Sequence, residues 1–277
     1  MEVIGATGAR KISRRMVSER ASQHAFFAIS ALLFAATAAA TIAWCASMSA
    51  TREMPMPGGW TMSMAWMRMP GQTWPGAAAS FVGMWVMMMA AMMLPSLVPM
   101  LWRFRQAVER NGGTNPGFLT ALVGIGYFSI WTVVGVAVFP LGVALSAIVM
   151  QKPVLARAVP FAVGAVVLMA GSLQLTTWKW RRAAFSEAPE RILTLSADAR
   201  TAWRHGLRLG LQCGHCCVGL MVIPLVIGIM DLRVMAVVTA AITAERLAPP
   251  RLRVAQAVGT VVAGAGLLMI GRAAGFG

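Results

Sequence analysis

Long apolar stretches separated by short basic segments dominate this 277-residue chain. A run of about 17–25 apolar residues is long enough to cross the hydrocarbon core of a bilayer as a helix. Only 12% of the residues are charged, which is about half the share usual in a soluble domain. The sequence therefore predicts an all-α, polytopic transmembrane helix bundle. We expect it in the inner (cytoplasmic) membrane of a bacterium, with the lipid bilayer as its main contact.

Seven stretches are apolar enough to be spans. They cover residues 24–48, 77–102, 118–149, 154–178, 206–230, 232–247 and 254–272. The sixth is short, so six spans are the alternative. Residues 1–23 are predicted to be a basic cytoplasmic segment, and residues 24–277 one transmembrane helical domain with a Met-rich external loop at 49–76. The apolar core of the first span exceeds the 7–15 residues typical of a signal peptide, which favours an uncleaved anchor.

The Lys and Arg residues predict the orientation of these spans. Of the 24 basic residues, 18 fall in the N-terminal segment and in the second–third, fourth–fifth and sixth–seventh connections, with Arg246 assigned to the last of these. Short cytoplasmic connections carry the excess of Lys and Arg in membrane proteins. The N-terminus is therefore predicted to be cytoplasmic and the C-terminus external. The net charge of +15 is explained in this way, and no nucleic-acid partner is predicted.

A cysteine cluster in the fifth span is the strongest chemical signal. Cys213, Cys216 and Cys217 stand at positions i, i+3 and i+4, which share one face of a helix. His215 falls on the opposite side and joins them only if the turn loosens or a second subunit approaches. Free cysteine often packs as a small apolar residue, as we expect for the isolated Cys45. Three thiols on one face instead predict a site for a soft metal or for electrons.

Methionine is the second signal, with 22 residues in the chain. Thioethers are soft ligands that select Cu(I) over hard ions. In the second span, Met84, Met88 and Met92 recur at every turn, and Met88 and Met92 are predicted metal ligands. A neighbouring stripe contains Met89, Met93 and Met100. The external loop is predicted to acquire the metal through Met54, Met56, Met62, Met64, Met67 and Met69. The alternative is that methionine is an apolar filler and that the loop folds back at the membrane interface.

Three segments together resemble a bacterial family of predicted metal-binding integral membrane proteins of unknown function. They are Trp85–Ser96 with its Ala-Met-Met-Leu-Pro-Ser sequence and Pro99, Gln174–Lys179, and the region from Cys213–Cys217 through Gly228–Asp231 and Met235 to Glu245-Arg246. The resemblance covers about residues 80–250 and implies metal binding. Two further cysteines follow the lysine in that family, whereas Arg182 and Ser186 stand at about those places here.

The leading interpretation is a Cu(I)-binding membrane protein that delivers copper or supports the assembly of a copper enzyme. Its predicted metal ligands are Cys213, Cys216, Cys217, His215, Met88 and Met92. Zinc is the alternative metal, because three Cys and one His form a common structural zinc set. Two other functions stay open: a structural or accessory subunit of a larger membrane complex, and a membrane thiol-disulfide oxidoreductase. No Ser-His-Asp arrangement, phosphate loop or carboxylate pair is found, so no catalytic residues are predicted.

Overall fold

The computed structural model describes residues 3–49, 54–57, 59–68, 71–176, 198–248 and 251–275. Seven α-helices lie in these ranges: α1 (Val3–Ser49), α2 (Trp74–Arg110), α3 (Pro116–Gln151), α4 (Pro153–Leu175), α5 (Ala199–Ile227), α6 (Leu232–Leu247) and α7 (Arg251–Ala273). Between α1 and α2 lie two short strands, β1 (Met54–Met56) and β2 (Trp60–Met62), and a 3₁₀ turn at Met64–Trp66. The predicted all-α bundle is confirmed.

Six helices in the described part of the chain are long and apolar enough to cross a membrane. They are Arg20–Ser47, Trp74–Arg110, Pro116–Gln151, Pro153–Leu175, Ala199–Ile227 and Arg253–Ala273. The predicted sixth span is the helix α6, whose 16 residues measure about 24 Å. That length is below the roughly 30 Å of a hydrocarbon core, so the alternative count of six applies by length.

The direction of the chain reverses from helix to helix, and α6 takes part in this alternation. It starts beside the end of α5 and runs back along it until Arg246 lies within 3.6 Å of Cys217. Helices α4 and α7 are also antiparallel, because Gly171 meets Ala263 while Gly164, earlier in α4, meets Ile270. The relative directions of the helices are therefore those that the basic residues predict for seven segments.

Polar caps and prolines define where the helices begin. The Thr73 hydroxyl accepts a hydrogen bond from the Gly76 amide at the start of α2, and Asp231 accepts from the Arg233 and Val234 amides at the start of α6. Asp198 caps α5 by accepting from the Thr201 amide. Hydrogen bonds from Thr201 lower the pKa of the Asp198 carboxyl, because they stabilise its charged form.

Glycines let α3 and α5 approach closely, and this contact sets the position of the cysteine cluster. A Cβ atom added to Gly126 would stand 2.8 Å from the Trp203 carbonyl oxygen, and one added to Gly210 would stand 2.9 Å from the Tyr127 carbonyl oxygen. One added to Gly206 would collide with the Val123 carbonyl. Small residues at such crossings are the usual way for membrane helices to pack backbone against backbone.

The methionines of α2 lie in the core of the bundle. Met84, Met88, Met89, Met92 and Met93 are at most 4% exposed, and they belong to the same cluster of buried residues as side chains from α3, α5 and α6. Large apolar side chains such as Leu32, Val133 and Leu268 are instead exposed on the outside. The outer surface of the bundle is thus the one suited to lipid, and the sulfur-rich face of α2 is turned inward.

Candidate metal centre

Three sulfur atoms from two helices converge inside the bundle. The Cys213 Sγ atom is 3.8 Å from Cys217 Sγ and 3.9 Å from Met93 Sδ. All three side chains are at most 4% exposed, and both cysteines are free thiols. With metal–sulfur bonds of about 2.3 Å, two sulfurs bound to one ion stand about 3.8–4.0 Å apart. The observed separations therefore suit a shared soft ion without a large rearrangement.

Tyr127 extends this group from α3. Its hydroxyl donates a 2.9 Å hydrogen bond to Cys213 Sγ, and its side chain is 1% exposed. The close α3–α5 crossing at Gly126 and Gly206 places the tyrosine at this distance. A buried tyrosine hydroxyl needs a polar partner, and here the thiol sulfur is that partner. Tyr127 thus holds Cys213 in one orientation.

Arg246 reaches the same group from the last turn of α6. Its Nη2 atom donates to Cys217 Sγ over 3.6 Å, and its Nη1 atom lies 3.5 Å from the Ser96 hydroxyl oxygen. Ser96 in turn donates to the Met93 carbonyl oxygen over 3.0 Å. The assignment of Arg246 to a cytoplasmic connection is therefore wrong. Its guanidinium points into the bundle, because α6 returns along α5 as far as the thiols.

The structure does not bring every predicted ligand to this centre. Cys216 is partly buried against the core, whereas His215 is exposed and its ring Nδ1 bonds to the Leu211 carbonyl. Among the described residues, no group of three or more His, Cys, Asp or Glu side chains is arranged to hold a metal ion. A three-cysteine, one-histidine set is thus not assembled. Met88 and Met92 are buried on α2, but the thioether beside Cys213 is that of Met93.

The Met-rich loop is folded against the bundle. Its strands pair antiparallel with Met54 opposite Met62 and Met56 opposite Trp60, and these four side chains are the more buried ones in their strands. Trp60 Nε1 donates to the Ala156 carbonyl oxygen of α4 over 2.8 Å. Met67 is partly buried, the side chain of Met64 is not among those described, and Met69 lies outside the described residues. The hairpin therefore presents thioethers towards one end of the bundle.

Two further side-chain contacts join distant parts of the chain. The Gln174 amide of α4 donates to the Glu245 carboxylate of α6 over 2.9 Å, and both side chains are buried. Gln174 therefore joins two helices. Cys45 lies 3.8 Å from the Met230 sulfur and is 3% exposed. Arg182 and Ser186, which stand where the resembled family has cysteines, lie outside the described residues.

Sequence reasoning missed two members of the centre. Tyr127 is the chain's only tyrosine and stands in an apolar span, and that isolation is the signal that could have found it. Arg246 could have been found from its position at the end of a span too short to reach the membrane surface. Neither signal identifies the cysteine that each residue contacts, because the partners are far apart in sequence. Tyr127 and Cys213 are 86 residues apart, and Arg246 and Cys217 are 29 residues apart.

A comparison with protein families matches residues 82–269 to PpoB2, described as a copper chaperone. The match covers more than half of the chain. The chain belongs to the PpoB2 copper chaperone family. Met93, Tyr127, Cys213, Cys217 and Arg246 all lie inside the matched region, whereas the Met-rich hairpin precedes it. No curated protein and no solved structure gives a significant match.

Membership of the PpoB2 family agrees with the predicted involvement of copper. It also gives a chemical meaning to the sulfur-rich face of α2, since copper in its reduced state prefers thiolate and thioether ligands. The resemblance drawn from the motifs covers about residues 80–250, and the match to this copper chaperone family covers residues 82–269. Both therefore concern nearly the same part of the chain.

Proposed function

We propose that this protein is a membrane copper chaperone that holds one Cu(I) ion at Cys213, Cys217 and Met93 and passes it to a copper-dependent membrane enzyme. The observation that carries the proposal is the position of Cys213 Sγ in the core, 3.8 Å from Cys217 Sγ on α5 and 3.9 Å from Met93 Sδ on α2. Copper is here the cargo of the protein. The chain supplies a dry, preformed set of soft ligands that excludes water and oxidants.

The ligand set favours Cu(I) over zinc. Cu(I) accepts two or three soft ligands, including neutral thioethers, whereas structural zinc takes four ligands from cysteine and histidine. The described residues offer two thiols and a thioether, and His215 faces away from them. Apolar surroundings also favour an ion of low charge, because the cost of burying an ion rises with its charge.

The route to the centre is proposed to be lined by methionine. Met54, Met56 and Met62 form the bundle-facing side of the hairpin, and the buried methionines of α2 continue towards Cys213. From Met84 to Met93, α2 rises by about 14 Å at 1.5 Å per residue. Neutral thioethers can pass Cu(I) along without proton exchange, which suits a path through a bundle core.

We further propose that the protein lies in a bacterial cytoplasmic membrane, with the hairpin on the external side. The support is the set of six long apolar helices and the distribution of basic residues. A single cysteine placed at Asn111, in a variant without the native cysteines, should react with an impermeant thiol reagent only after the membrane is opened. One placed at Gly58 should react in intact spheroplasts, and the opposite pattern would overturn the orientation.

The experiment that tests the function measures Cu(I) bound to the purified, reduced protein by competition with a chromophoric Cu(I) chelator. We expect about one ion per chain in the wild type, and loss of binding when Cys213 and Cys217 are both changed to serine. C45S and C216S are the matched controls, because each removes one thiol outside the proposed set, and both should keep the ion. Full copper binding by the double variant would place the site elsewhere.

The same protein tests the redox alternative. A thiol-disulfide oxidoreductase would cycle a disulfide within the cluster, with a quinone or a soluble thiol as partner, in the absence of metal. We expect no such turnover, because Cys213 and Cys217 are both enclosed in the core. Turnover by the metal-free wild type that is lost in the double variant would replace the chaperone by an oxidoreductase.

A further inference from the structure

The guanidinium of Arg246 is a fixed positive charge beside the proposed copper ligands. It lies 3.6 Å from Cys217 Sγ and 3.5 Å from the Ser96 hydroxyl. The salt bridge that the described residues contain joins Arg105 and Glu109 on the exterior. Among the described residues, the hydrogen-bond partners of Arg246 are therefore a thiol and a hydroxyl, where an arginine inside a protein would ordinarily be paired with a carboxylate.

Such a charge acts on the metal as well as on the thiols. Two thiolates and one guanidinium carry a net charge of −1, so a monovalent ion makes the group neutral and a divalent ion leaves it with a charge of +1. Uncompensated charge is costly in a buried site. The neighbouring Glu245 carboxylate is bonded to Gln174 of α4, and its attraction for a given ion is the same in the wild type and in a variant of Arg246.

We propose that Arg246 is a specificity-determining residue that makes the centre select a monovalent soft ion over a divalent one. This inference rests on the proposed function, because it takes Cys213 and Cys217 as the ligands. Arginine suits the role because it stays charged at every physiological pH. It excludes Zn(II) and Cd(II) by repulsion, while the thiolates retain Cu(I) or Ag(I).

The size of the effect follows from Coulomb's law. At roughly 5 Å and an effective dielectric constant of about 20, one added unit of metal charge changes the affinity by roughly two- to three-hundredfold. The attraction of the thiolates and their competition with protons affect both ions through the same ligands. The ratio of the two affinities is therefore the quantity that reports on Arg246.

Ag(I) and Cd(II) are the probes, because they have the same number of electrons and both prefer sulfur. Their dissociation constants are measured on the purified, reduced full-length protein by competition with a chelator. We expect the Ag(I)-to-Cd(II) affinity ratio to fall by roughly two- to three-hundredfold in R246Q and to stay near the wild-type value in R246K. An R246Q ratio within threefold of the wild type would overturn the inference.

A second pair of variants tests the same charge without removing the arginine. S96D places a carboxylate beside the guanidinium and should lower the ratio in the same direction as R246Q, whereas S96N, of similar size, should leave it unchanged. This pair decides the question if R246Q does not fold. Equal ratios in S96D and S96N would overturn the role of charge.

The proposed function fails in a different way. If the C213S/C217S variant binds Ag(I) as the wild type does, the cysteine centre is not the site, and both proposals fall together. If binding depends on the cysteines but the ratio is insensitive to Arg246 and to S96D, the copper site stands and the charge selection alone is refuted.

Discussion

The hydrogen bond from Tyr127 to Cys213 should contribute to copper affinity, and Y127F isolates that contribution. The substitution removes one hydroxyl and leaves the ring, which is 1% exposed, in place. The lost contact is a 2.9 Å bond to Cys213 Sγ. Because the sulfur accepts this bond with and without metal, only the difference in its strength between the two states appears in the affinity.

That difference can be worked out from the charge on the sulfur. Cu(I) binding displaces the thiol proton, so the acceptor changes from a neutral thiol to a thiolate. A neutral hydrogen bond contributes about 1 kcal/mol and one to a charged group about 2.3 kcal/mol. The difference of about 1.3 kcal/mol predicts a roughly tenfold weaker affinity in Y127F. The loss of about 1 kcal/mol in the metal-free protein should appear separately as a lower free energy of unfolding.

The measurement is a Cu(I) competition titration of wild type and Y127F in the same detergent. S129A is the matched control, because Ser129 lies on the same helix and its hydroxyl donates to the Gly126 carbonyl instead of a thiol. We expect S129A to keep the wild-type affinity. An unchanged affinity in Y127F, or an equal loss in S129A, would show that the tyrosine is only a packing residue and would refute the reasoning.

Three other expectations follow from the packing of the bundle. G206V should lower the free energy of unfolding by about 1–3 kcal/mol, because its side chain would collide with the Val123 carbonyl. The control is G214A, whose added Cβ has no neighbour within 4 Å and which should be neutral or slightly stabilising in the same thermal unfolding assay. The M88L/M92L variant, which removes two buried thioethers, should load copper from a limiting external supply more slowly than the control M87L, whose methionine is 43% exposed on the outside of the bundle. Equal loading rates of the two variants in reconstituted vesicles would remove α2 from the proposed route. Q174L should destabilise the protein by about 1–3 kcal/mol, because the Glu245 carboxylate loses a buried donor; the control S172A, which removes an exposed hydroxyl on the same helix, should not.

The architecture could be predicted because it depends on properties that a single helix carries in its own sequence. Apolar length predicted each of the seven helices in the described residues, including the short α6, and the basic residues predicted the alternating directions. Polar caps then moved some boundaries, as at Asp198, whose carboxylate caps α5 so that the helix begins at Ala199, seven residues before the predicted span at residue 206. The hairpin at Met54–Met62 was missed because two three-residue strands leave too short a pattern.

The candidate site was predicted less completely, because it depends on how helices are placed against one another. The i, i+4 spacing correctly put Cys213 and Cys217 on one face, but the spacing could not show that Cys216 lies further from the core. Met93 was placed on the neighbouring stripe and Met88 and Met92 were preferred, because the rotation of α2 about its axis is set by its contacts with α3 and α5. Tyr127 and Arg246 were recognised as members of the site only from their contacts with Cys213 and Cys217 of α5.

The position of Arg246 also bears on how a carrier can release its cargo. Cu(I) binding converts the two neutral thiols into thiolates, so the group of two thiolates and one Cu(I) ion carries a charge of −1, which is costly in a buried site. A guanidinium 3.6 Å from Cys217 offsets this charge and stabilises the loaded centre. Under the proposed function, R246Q should therefore hold Cu(I) more weakly than the wild type and transfer it faster to a copper-free acceptor protein. Equal or slower transfer from R246Q would refute this role of the charge.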